Sequence, residues 1–175
     1  MKNLLTTFIL ALCCVSLQAQ PPSVAGVQFG TSYEQVKTIL DKRFKGKLYT
    51  CKDKELLTYC NIDFAGEKFN FVQFEFEKDA KCSYLCGVFF IKSFNPSKSK
   101  DAKDMRDRLF EVYKTKYKFR HEETDDDGYK SYALGYNYFN RSKAFILIST
   151  TRFEKKLYTT ITYACKGFIN MQDEI

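Results

Sequence analysis

Lys68-Phe69-Asn70-Phe71-Val72-Gln73-Phe74-Glu75-Phe76-Glu77 decides the fold class. From Val72 onward, Val72, Phe74 and Phe76 alternate with Gln73, Glu75 and Glu77, which is the two-residue period of a half-buried strand. Phe69 and Phe71 break that alternation, so both faces are expected to be covered at the strand's start. Ala65-Gly66-Glu67 before it is a hairpin turn leading back to Leu56–Phe64. The polar Glu77-Lys78-Asp79-Ala80-Lys81 leads on to a second aromatic-rich strand, Tyr84–Phe94.

Around this sheet the same elements recur. Upstream, Thr31 and Glu34 have the spacing of a capping box, and Tyr33, Val36, Ile39 and Leu40 share one helical face, predicting a helix from Ser32 to Arg43 that stops at Gly46. Val24–Phe29 ahead of it reads as an edge strand or extended arm, and Leu48–Cys51 as a first strand. Downstream, Asn95-Pro96-Ser97 opens a second helix reaching Tyr117. Its expected buried stripe is Ala102, Met105, Leu109, Val112 or Tyr113, and Lys116 or Tyr117, with Lys103, Arg106, Asp107 and Lys114 facing water. Strands are then expected at Phe119–Glu123, Tyr129–Phe139, Lys143–Phe153 and Leu157–Cys165. An offset of 76 residues places Val36 on Val112, Phe69 on Phe145, Phe71 on Leu147 and Leu85 on Ile161. The expected fold is therefore α+β: two helices packed on antiparallel β-meanders. It forms one domain over 20–175, or two tandem modules over 24–94 and 95–168.

The N-terminus reads as a leader rather than as fold. Lys2, the apolar run Leu4–Leu17 and Leu17-Gln18-Ala19 match a secretory signal peptide over residues 1–19, too short an apolar run for a membrane span. The expected location is periplasmic or secreted. A lipid anchor on Cys13 or Cys14 is the less favoured alternative, because Leu12 and Cys13 stand where a lipobox wants a small residue. The formal net charge of +7 is spread as Lys among Asp and Glu, with no Arg-rich block, which argues against nucleic acid as a partner.

Past the leader stand Cys51, Cys60, Cys82, Cys86 and Cys165, and export permits disulfides. Cys51 and Cys60 flank a polar hairpin tip and are candidates to bridge. Cys82 and Cys86 would lie roughly 13 Å apart in an extended strand, so they bridge only across a turn at Ser83-Tyr84-Leu85. Cys165 is then left over. No C-x-x-C pair and no nearby His supports zinc.

Catalytic constellations are not legible. His121, the single His, sits in the charged run Arg120-His121-Glu122-Glu123 and reads as a surface residue near a turn. Asp125-Asp126-Asp127-Gly128 lacks the closing Glu of a calcium loop and reads as hairpin-turn chemistry. There is no Gly-rich phosphate loop, G-x-S-x-G or H-E-x-x-H, and no cofactor is called for. The compositional excess is aromatic, with 17 Phe and 12 Tyr. Tyr132, Tyr136 and Tyr138 are expected on one strand face as a protein-docking patch, since Tyr adds contact area at low entropy cost. A carrier of an apolar small ligand held between helix and sheet is the alternative, and a hydrolase ranks last.

Phe29-Gly30-Thr31-Ser32-Tyr33-Glu34-Gln35-Val36, a turn into a short helix followed by an antiparallel meander, resembles the helix-plus-sheet modules of the β-lactamase-inhibitor-protein-like group. Small outer-membrane assembly lipoproteins are built similarly. The resemblance covers Gly26 to Leu40 in motif and the remainder in element order. Modules of that group open with two helices, where one is read here. The resemblance implies a non-enzymatic, protein-binding role in the envelope and carries over no functional residue.

Overall fold

The computed structural model describes residues 22–80, 82–136 and 145–165. It has the expected α+β architecture. A short hairpin, β1 (Ser23–Val24) and β2 (Val27–Gln28), turns through Ala25 and Gly26. Both turn residues have positive φ (54° and 83°), the backbone a two-residue hairpin turn requires. Helix α1 (Tyr33–Arg43) follows, then β3 (Leu48–Lys52), β4 (Leu56–Phe64), β5 (Glu67–Lys78) and β6 (Ser83–Phe94). A 3-10 turn at Pro96–Lys98 leads into α2 (Ser99–Lys114), and β7 (Phe119–Thr124), β8 (Lys130–Leu134), β9 (Ile146–Phe153) and β10 (Lys156–Ala164) complete the chain.

All eight long strands join one antiparallel sheet in the order β3-β4-β5-β6-β10-β9-β8-β7. The second half therefore repeats the first in reverse spatial order, and the halves meet along β6 and β10. One row of residues crosses the whole sheet: Leu48, Tyr59, Val72, Phe90, Ile161, Ile148, Tyr132, Glu122. Its two tyrosines occupy matching places, and each ties the sheet to its own helix. The Tyr59 hydroxyl donates to Asp41 of α1 at 2.8 Å, and the Tyr132 hydroxyl donates to Asp107 of α2 at 3.1 Å. Phe44 lies against the Tyr59 ring (5.3 Å between centroids) and Phe110 stacks on that of Tyr132 (4.1 Å). Asp41-Lys42-Arg43-Phe44 and Asp107-Arg108-Leu109-Phe110 are thus the same device used twice.

The core lies between the helices and one sheet face. Val72, Phe74 and Phe76 are buried as their alternation predicts. The break at Phe69 and Phe71 is a change of phase. Phe69 turns to the helix side against Phe90, while Phe71 turns to the other face against Tyr49. The pivot is Asn70, whose Oδ1 accepts from the Ser93 amide at 2.8 Å in place of a ladder bond. On the neighbouring strand, Asn61 takes φ +54°.

Several expectations change. The capping box at Thr31 and Glu34 is not formed. The Thr31 carbonyl accepts from the Leu85 amide (2.9 Å), Glu34 pairs with Lys54 (2.8 Å), and Ser32 is the cap residue. The strand read as Tyr129–Phe139 ends at Leu134, because Gly135 takes φ +69°; residues 137–139 lie outside the described range. Arg106, expected in water, is 4% exposed. It pairs with Asp107 at 2.7 Å and lies over the Tyr132 ring at 5.4 Å. Val112, offered for the buried stripe, is exposed, and Tyr113 takes the place.

Candidate binding face

Both helices pack on the side of the sheet that carries Tyr59, Phe74, Phe90, Ile161 and Tyr132. Among the described residues, neither helix covers the opposite side. Two rows of side chains run across that open face. One is Thr58, Gln73, Phe89, Thr162, Leu147, Ala133, His121, and the next is Cys60, Phe71, Ile91, Thr160, Ser149, Ser131, Glu123. The two halves differ in chemistry. The first contributes Phe71, Phe89 and Ile91, all half-buried, together with Tyr49, which is 67% exposed and meets Phe71 edge-on at 5.4 Å. The second contributes mainly hydroxyls, including the Ser149–Thr160 bond at 2.9 Å, with Leu147 exposed among them.

Gly87 shapes the aromatic half. A Cβ there would come within 2.9 Å of the Phe89 ring and 3.2 Å of the Glu75 carboxylate. The missing side chain lets Phe89 lie across the strand. At this level the β5–β6 register shifts by one residue between Glu75 and Phe76, a bulge that bends β6 locally.

Next to the aromatic half is a cleft of about 460 Å³ lined by Lys52, Glu55, Leu56, Glu75, Phe76, Glu77 and Cys86. Three carboxylates face one ammonium there. Glu77 Oε2 is buried without a hydrogen-bond partner among the described residues. An unmatched buried carboxylate oxygen is costly, and an incoming cationic side chain would relieve it. A second cleft, about 340 Å³, lies where α2 meets the β4–β5 turn and β1, lined by Val24, Phe64, Val112, Tyr113, Tyr117 and Tyr163 among others. The Tyr113 and Tyr163 hydroxyls are hydrogen-bonded to each other at its floor. Burial raises the Tyr113 hydroxyl to about 12, although its bond to Tyr163 works the other way.

Of the three tyrosines expected to form the docking patch, Tyr132 and Tyr136 are not brought together. Tyr132 is 8% exposed, on the helix side between Arg106 and Phe110, and belongs to the core. Tyr136 lies past the end of β8, 57% exposed, with Arg120 over its ring at 5.0 Å. Tyr138 lies outside the described residues. The alternation that put them on one strand fails because Gly135 ends it. Tyr49 and Phe71 were the signal available instead: they are apolar residues out of phase with the buried set.

The expected disulfide pairs also separate. Cys51 stands opposite Leu57 on the helix side, whereas Cys60 stands opposite Phe71 on the open face. Cys82 closes a turn with Asp79, whose Oδ1 accepts its amide at 2.7 Å; the chain then runs extended from Ser83, so no turn brings Cys82 back to Cys86. His121 is exposed and bonded to Glu123 at 3.1 Å on the edge strand β7. Asp125 serves its turn: its side chain accepts the Tyr129 amide at 2.7 Å and its carbonyl the Gly128 amide at 2.9 Å. No described helix is long and apolar enough to cross a membrane. No protein-family model, curated protein or solved structure matches this chain.

Proposed function

We propose that this chain is an exported, non-catalytic protein that binds a protein partner through the open face of its sheet. The observation that carries the reading is the placement of Tyr49, Phe71, Phe89 and Ile91 together on the side away from both helices. Large aromatic side chains on a sheet supply contact area with few rotamers to freeze, and contiguous apolar patches mark interaction sites. The adjoining acidic cleft, with the unmatched Glu77 oxygen, favours a partner that presents an apolar patch beside a Lys or Arg. The leader-like residues 1–19 and the resemblance to inhibitor-type modules support an envelope setting.

The test is site-specific photo-crosslinking in envelope extract. Probes at Tyr49 and Leu147 report the open face; probes at Ile39 and Val112, exposed apolar positions on the helices, report the other. A single protein adduct is expected from the first pair and none from the second. Phe71→Ala should weaken the isolated complex about tenfold or more, as truncation of a central aromatic anchor does, and Glu75→Lys should weaken it further at low salt. Equal adducts from both sides would remove the face assignment. The tyrosine-lined cleft favours a second reading, an apolar small ligand; native mass spectrometry of the purified chain showing such a ligand bound would support it.

A further inference from the structure

Two cysteines that stand far apart in the sequence meet where the two halves join. The β6–β10 register runs from Leu157 opposite Phe94 to Ala164 opposite Gly87. One step further along, Cys165 stands opposite Cys86, and its amide donates to the Cys86 carbonyl at 2.9 Å. Hydrogen-bonded cross-strand neighbours have Cα atoms about 5.5 Å apart, inside the window of roughly 4.4–6.8 Å that a disulfide spans. Both residues are buried, Cys165 completely.

We propose that Cys86 and Cys165 form a disulfide that staples β6 to β10 and so locks the two halves of the sheet together. The oxidant is a disulfide of the glutathione or thiol-oxidoreductase class, and only its presence in the cell rests on the export reading. One cysteine thiolate attacks the oxidant's disulfide and expels one thiolate. The second cysteine, deprotonated, attacks the resulting mixed disulfide and expels the other. The protein loses two protons and two electrons, and the oxidant leaves as two thiols.

The timing follows from the site. Burial, with Cys86 alongside, pushes the Cys165 thiol up to about 12, so in the folded chain it scarcely ionises. The bond therefore forms while the chain folds.

The test uses the full purified chain, reduced, denatured and refolded in glutathione disulfide with glutathione, then alkylated, digested with trypsin and mapped without reduction. The fragment starting at Cys82 also contains Cys86, so Cys82→Ser is run beside the natural sequence. A link from that fragment to the one containing Cys165 is expected in both, with the oxidised protein melting roughly 5–15 °C above the reduced one. Full alkylation of Cys86 and Cys165 after refolding, or a link from Cys165 to another cysteine, overturns the proposal. If the link forms on refolding but acid-quenched cells show both thiols reduced, the pairing stands and the export reading fails.

Discussion

Helical spacing puts Arg106 in water and strand alternation puts Tyr132 on a docking face, yet both are core. An Arg on a helix is normally solvated, and a Tyr in an alternating strand can face either way. What decides them is their mutual fit. The guanidinium lies over the Tyr132 ring, Asp107 accepts from both side chains, and Phe110 stacks on the ring. The charge is thereby paired and its stem packed, which is the condition for burying an Arg. Tyr132→Ala should therefore cost about 3–5 kcal/mol, the range for a buried aromatic, whereas Tyr136→Ala should stay within about 0.5 kcal/mol. Urea unfolding of the two variants checks this directly, and a neutral Tyr132→Ala would return that residue to the surface.

Helices and strands were more legible than the way they correspond. The long strands β4 to β6 emerge within a residue or so of their expected bounds, because they are rich in aromatic and β-branched residues and turn residues flank them. β8 was overextended, since a positive-φ glycine looks in sequence like any strand glycine. The repeat was visible in element order but misaligned in residues. The offset of 76 matches the register of β5 and β9 (Val72 and Ile148), while the helices need 66 (Asp41 to Asp107, Phe44 to Phe110) and β6 and β10 need 71 (Phe90 to Ile161). Connections of unequal length shift each element separately, so no fixed offset finds the Asp–Tyr tie between helix and sheet. That tie has a pH signature in the first half. Burial alone would raise the Asp41 carboxyl, but hydrogen bonds from Lys37 and Tyr59 outweigh it and hold it below the usual range. A carboxyl depressed by folding stabilises above its unfolded value, and the contribution disappears as pH falls through the folded one. The melting-temperature gap between the natural chain and Asp41→Asn should thus be constant from about pH 7 to 5 and shrink below about pH 4. A gap that persists unchanged at about pH 2.5 would mean the carboxylate charge is irrelevant to the tie.

At the scale of the whole molecule, two similar halves of the described chain share one eight-stranded sheet and meet along a seam. Between β6 and β10 the register pairs Leu157 with Phe94 through Ala164 with Gly87 without interruption. The aromatic cluster ignores the boundary: Phe90 of the first half meets Tyr163 of the second, and Phe29 meets Phe145. Arg108 of α2 also reaches Glu67 of β5 at 2.7 Å. Separating the halves would expose a full strand edge on each side and open this cluster to water, a cost that couples the unfolding of one half to that of the other. The chain should unfold in one transition. With 12 Tyr and no Trp, tyrosine fluorescence and far-UV circular dichroism should superimpose across a urea titration. Native-state hydrogen exchange sharpens the test: the protected amides of β4 and those of β9 should converge on the same opening free energy as urea rises. If the β9 amides reach a lower plateau and a second transition appears, the halves are independent modules that merely share an edge. The β6–β10 seam would then be a docking surface rather than the centre of the core.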